Sequence, residues 1–185
     1  MKKMNFLLYL MAAATCVFAQ EQQKKKPVFQ TQVQLGILEG QAGSQFQVQV
    51  INGMKWQGAS AGVGIGLDYY GTRSIPLFLN LQKNILNHTK TPFIYANGGI
   101  HFPWISDKNT AEIIRTKPGL IYEAGVGYLV PAGKYAFSFT LGYSYKAYTE
   151  RRESARWCLT GICENDVSNV SYQFRRISFN MGFRF

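Results

Sequence analysis

From Pro27 onward the chain alternates with a period of two. In Ile177-Ser178-Phe179-Asn180-Met181-Gly182-Phe183-Arg184-Phe185 every odd position is large and apolar, and every even position is small or polar. A β-strand points successive side chains to opposite faces, so this segment predicts a strand with one oily face. The same pattern sets Phe137, Phe139, Leu141, Tyr143 and Tyr145 against Ser138, Thr140, Gly142 and Ser144. It also sets Ala59, Ala61, Val63, Ile65, Leu67 and Tyr69 against Gly58, Ser60, Gly62, Gly64, Gly66 and Asp68. Weaker runs occur around Leu35, Val48, Leu79, Ala96 and Val126, the last with Ile121 out of phase. The runs predict strands at 29–39, 45–52, 56–70, 75–83, 93–102, 119–130, 135–148 and 171–185. No segment carries a helical period.

Eight strands suit a closed antiparallel up-and-down barrel, for which an even count is required and eight is the smallest common size. Each alternating core is about the 9–11 residues that a tilted strand needs to cross a bilayer. Two barrels share this pattern. A soluble, lipocalin-like binder is apolar inside and polar outside, and a transmembrane barrel is the reverse. The polar face of the third strand is nearly all Gly and Ser, which suits a crowded narrow interior better than a solvated surface. The opposite face carries Tyr69, Tyr70, Tyr122, Tyr128, Tyr143, Tyr145 and Phe185 near strand ends. That placement fits interfacial aromatic girdles. The sequence therefore predicts an all-β transmembrane barrel over residues 29–185.

Composition sharpens this through the N-terminus. Lys2 and Lys3 precede a short apolar run at 6–14, and Val17-Phe18-Ala19 offers small residues where a signal peptidase reads. The expected domains are a cleavable signal peptide at 1–19, a short periplasmic segment at 20–28, and the barrel. The residues before Cys16 make a poor lipobox. The whole chain of 185 residues carries a formal charge of +10, of which the signal contributes Lys2 and Lys3. The remaining basic residues are dispersed and the chain is exported, so nucleic acid is set aside as a partner. With 46% hydrophobic and 15% aromatic residues the chain is not disordered. After the signal no apolar run approaches the ~18 residues of a spanning helix.

Connection lengths orient the barrel. The tight links are expected at Asn52-Gly53-Met54-Lys55 and Pro131-Ala132-Gly133-Lys134, with a longer one at 84–92, all on the periplasmic side. The longest links, about 103–118 and 149–170, belong outside the cell, where long loops are usual. Cys158 and Cys163 fall in the last of them. In an oxidising compartment two cysteines so spaced are expected to form a disulfide, since no His lies near to complete a metal site. No metal or other cofactor is expected.

The terminal strand carries a resemblance. Alternating Phe179, Met181, Phe183 and a final Phe185 look like the sorting signal read by the outer-membrane barrel-assembly machinery of Gram-negative bacteria. The mature chain resembles the small eight-stranded, porin-like outer-membrane β-barrel proteins. Its Gly-rich strand ends and Arg73-Ser74-Ile75-Pro76-Leu77 look like the Bacteroidota-type branch. The resemblance implies the outer membrane, a monomer, surrounding lipid and lipopolysaccharide, and periplasmic chaperones during biogenesis. It implies little about function, because the family is diverse.

Four inward positions are charged: Asp68, Glu123, Lys146 and Arg176. Opposite charges in a narrow lumen must pair or be hydrated, so they are expected to form a network that plugs the barrel. A polar conduction or binding site is the alternative. A lipid A-modifying enzyme would need a His with a nucleophile and an acid at the outer leaflet. His88 lies on the periplasmic side. His101, expected at the rim, has Pro103 where a His-x-Ser pair would need Ser, although Glu123 lies on the neighbouring strand. No catalytic residue is assigned. Among the loop charges Lys108, Arg115, Lys117, Arg151, Arg152 and Arg156 are candidates for lipopolysaccharide phosphates. The expected role is structural or interactive, with a narrow solute channel, a lipid A enzyme and a soluble binder as alternatives in that order.

Overall fold

The computed structural model describes residues 26–104, 112–154 and 166–185. Ala19, Cys158 and Cys163 lie outside the described residues. Eight strands follow one another: β1 (Val28–Gly40), β2 (Gly43–Trp56), β3 (Ala59–Asp68), β4 (Ser74–Asn84), β5 (Thr91–Pro103), β6 (Glu112–Ala132), β7 (Tyr135–Ser154) and β8 (Asp166–Arg184). Each pairs antiparallel with the next, and β1 also pairs with β8, from Gln32 opposite Arg184 to Gly40 opposite Arg176. The sheet is a closed eight-stranded barrel, which satisfies the main-chain hydrogen bonds that an open edge would leave free.

The wall is apolar outside and polar inside. Val63, Leu79, Leu120 and Ile177 point outward and are 52%, 63%, 66% and 58% exposed. The inward phase holds Gln32, Gln47, Gln49, Asn80, Asn97 and Asn180, all buried. The small residues of β3 do lie inside, where they leave room for bulk from other strands. A side chain at Gly64 would strike the Phe78 ring, and one at Gly142 would strike the Tyr95 hydroxyl.

The predicted elements need three corrections. First, Asn52-Gly53-Met54-Lys55 is not a turn. These residues continue β2, with Ile51, Gly53 and Lys55 inward, and the reversal comes at Gln57-Gly58, with φ of 30° and 78°. Positive φ at both central residues is the hairpin geometry that matches strand twist. Gly53 belongs in the strand because it lies close against the main chain of β3 at Ala61 and Gly62. Second, much of the two long links is strand. β6, β7 and β8 run on together beyond the barrel proper, with Glu112 opposite Ser154 and Ser154 opposite Asp166. A register shift between Lys117 and Leu120, at Pro118-Gly119, interrupts the alternation there and hides the continuation. Third, Tyr70 is not an outer-girdle residue. It is fully buried, and its hydroxyl accepts the Ala42 N–H at 2.7 Å.

Candidate functional site in the lumen

Three transverse layers of side chains fill the barrel. The layer nearest the long hairpins is built on Asp68. Arg176 Nη1 donates to Asp68 Oδ2 at 2.6 Å, and Lys146 Nζ lies 3.5 Å from the same oxygen. Asp68 comes from β3 and its two cations from β8 and β7, so the ion pairs cross the lumen. Arg176 Nη2 also donates to Ser144 Oγ at 2.7 Å, and the guanidinium sits 5.3 Å from the Tyr70 ring centroid. Lys146 donates to the carbonyls of Tyr70 and Thr72 at 3.0 and 2.8 Å. Asp68 Oδ1 accepts the Tyr70 N–H at 2.8 Å. Each ion thus has hydrogen bonds beyond its Coulombic partner, the condition under which a buried pair is tolerated.

Glu123 stands apart from that group. Its Oε1 accepts from the Tyr95 hydroxyl at 2.7 Å, Ser178 Oγ at 2.6 Å and Asn180 Nδ2 at 3.3 Å. No described cation pairs with it. The structure therefore brings together three of the four charges read from the sequence and gives the fourth to hydroxyl and amide donors. Asn180 extends this middle layer, since its Oδ1 accepts from Gln47 Nε2 at 2.6 Å and its Nδ2 donates to Thr140 Oγ1 at 3.2 Å.

The third layer lies toward the chain termini. Arg184 Nη2 donates to Gln82 Oε1 at 2.5 Å, Gln82 Nε2 to Gln32 Oε1 at 3.4 Å, and Gln32 Nε2 to Ser138 Oγ at 3.1 Å. This bar runs from β8 through β4 and β1 to β7. Arg184 also lies 5.0 Å from the Phe93 ring centroid. The sequence reading missed Arg184 as a site residue, although it shares the inward, even-numbered phase of Arg176 on β8. Below this layer the lumen opens as a vestibule of about 790 Å³ at the termini end.

His101 is an interior residue, not a rim one. It is fully buried, its Nε2 lies 3.1 Å from the Ala147 carbonyl, and its ring meets Tyr148 edge-on at 5.8 Å. Glu123 does not approach it. Their strand partners, Gly119 opposite His101 and Asn97 opposite Glu123, place the two about 13 Å apart along the strand direction. No group of three or more His, Cys, Asp or Glu that could hold a metal occurs among the described residues. Phe179, Met181 and Phe185 face outward from the closing strand and are 51%, 50% and 56% exposed, and Phe183 on the same face is half-buried.

No protein-family model matches the chain, and no curated protein matches it. Solved structures do. The crystal structure of Neisserial surface protein A (NspA) aligns with a TM-score of 0.53 at 15% identity, over 86% of this chain and 98% of that one. A major outer membrane protein from Thermus thermophilus aligns at 0.44 and 13% identity, over 85% of this chain and 100% of that one. Outer membrane protein AlkL, determined by solid-state NMR in DMPC lipid bilayers, aligns at 0.42 and 9% identity, over 90% and 94%. The likeness to NspA extends over nearly the whole of that protein and bears on the fold: this chain is similar to the small closed barrels of outer-membrane proteins.

Proposed function

We propose that the chain is an integral outer-membrane protein, a monomeric barrel with a structural or interactive role that displays its long hairpins and whose lumen is closed to solutes. The observation that carries this reading is the inverted polarity of the wall. Large apolar side chains project outward from all eight strands while Asp68, Glu123, Lys146 and Arg176 are at most 3% exposed inside. In water such a surface would aggregate, and in a bilayer it is solvated. The likeness in fold to outer-membrane barrels supports the same location.

Closure is supported by the three layers, because a continuous water path past them would expose their polar groups. The non-enzymatic reading is supported by His101. Its Nε2 faces a main-chain carbonyl, and no solvent-accessible surface remains for a substrate to reach. Under the same proposal the outward row ending in Phe185 is the assembly signal. Exposed Lys117 and Arg151, on the outer face beyond the apolar band, meet lipopolysaccharide phosphates.

Faster migration of the unboiled protein on a denaturing gel, and planar bilayers without stable conductance, are the expected results. A mature chain that folds in water without detergent overturns the membrane reading, and a stable conductance overturns closure. Leu79→Arg, on the lipid-facing wall, should cost about 2–4 kcal/mol in urea unfolding from vesicles if Leu79 lies near the bilayer midplane.

A further inference from the structure

The vestibule at the termini end carries a charge imbalance that the fold does not resolve. Among the described residues Arg184, Lys55, Lys134 and His88 line it, and no Asp or Glu does. Phe185 also lines it, and its main-chain oxygen accepts the Thr31 N–H at 2.9 Å. Arg184 is 5% exposed, yet its Nε has no hydrogen-bond partner, and its Nη2 is bound only to the neutral amide of Gln82. Lys55 is half-buried on the inward face of β2. Two neighbouring cations drawn out of water without a carboxylate repel each other and lose hydration, a cost that an anion removes. The same wall includes Leu129 and Phe29, so apolar surface lies within reach of the cations.

We propose that this vestibule binds an oxyanion, the carboxylate or phosphate of a small molecule or lipid headgroup. Arg184 and Lys55 hold its charge, and the apolar wall takes any hydrocarbon attached to it. A guanidinium with an N–H to spare, lying over an aromatic ring, suits such a group because charge-assisted hydrogen bonds to oxyanions are the strongest a side chain makes. The site is independent of whether the lumen conducts and of which side of the membrane the termini face.

The test is NMR of the full chain in phosphatidylcholine nanodiscs, following the Arg184 Nε–H and the Gln82 side-chain amide. Inorganic phosphate, acetate and octanoate are titrated separately. Both signals should shift saturably, with octanoate saturating at roughly tenfold lower concentration than acetate as its chain meets the apolar wall. Lys55→Gln and Arg184→Gln should each weaken phosphate roughly tenfold, read at Gln82, while keeping heat-modifiable migration. Lys55→Gln carries the test alone if Arg184→Gln does not fold. Replacing the lipid with phosphatidylglycerol separates the sources. A shift without added phosphate assigns a lipid headgroup, and none assigns a dissolved ligand. Shifts that never saturate, or that are unchanged in the variants, overturn the proposal.

Discussion

Arg176 and Arg184 project from the same face of the same strand into the same lumen, both at most 5% exposed and both beside an aromatic ring. Arg176 meets a carboxylate, Asp68, reached from the far side of the barrel, and shares it with Lys146. Arg184 meets only the amide of Gln82. The lumen around Arg176 is sealed, and beside Arg184 it opens to the vestibule. A buried cation with a buried counter-charge locks the strands that carry the pair. Both guanidinium groups leave Nε without a partner, so the contrast lies in the counter-charge: a cation with neutral partners holds its strand less firmly and keeps its charge uncompensated.

The comparison breaks most visibly at Asp68. Asp68→Asn leaves Lys146 and Arg176 together without an anion, and should cost about 3–5 kcal/mol in urea unfolding from lipid vesicles. A loss below about 1 kcal/mol would mean that the ion pairs contribute little beyond hydrogen bonding. Glu123→Gln is the intermediate case. It orphans no cation, but it turns an acceptor of three hydrogen bonds into a neutral amide, so a loss of about 1–3 kcal/mol is expected in the same assay. Arg184→Gln should cost least, about 0.5–1.5 kcal/mol, because it removes one hydrogen bond to a neutral amide and strands no buried carboxylate. If Arg184→Gln proves as damaging as Asp68→Asn, the two ends of the lumen are held alike and the contrast fails.

Several features are legible in the amino-acid sequence itself. The number of strands, their phase, and the inward placement of Asp68, Glu123, Lys146 and Arg176 follow from alternation alone, because the face a strand residue occupies is a local property. The turn at Gln57-Gly58 was missed because Asn52-Gly53 is the stronger local turn signal, and only pairing with both β1 and β3 keeps Gly53 in the strand. Tyr70 was misplaced because it follows the end of β3, where the alternation that assigned Tyr69 outward no longer governs. The far parts of β6, β7 and β8 looked like loop because their polar residues pair with one another beyond the apolar band.

The sequence by itself determined the two faces of each strand and hence an oily exterior around a polar core. Only the tertiary structure decided which polar group meets which. Closing eight strands staggers them around the barrel, and that stagger is a property of the whole sheet. It carries Asp68 of β3 across to Arg176 of β8 and gives Glu123 to Tyr95 and Ser178. It also leaves Arg184 facing Gln82, with no Asp or Glu paired to it among the described residues. Alternation fixes direction within one strand, and only closure fixes what lies opposite.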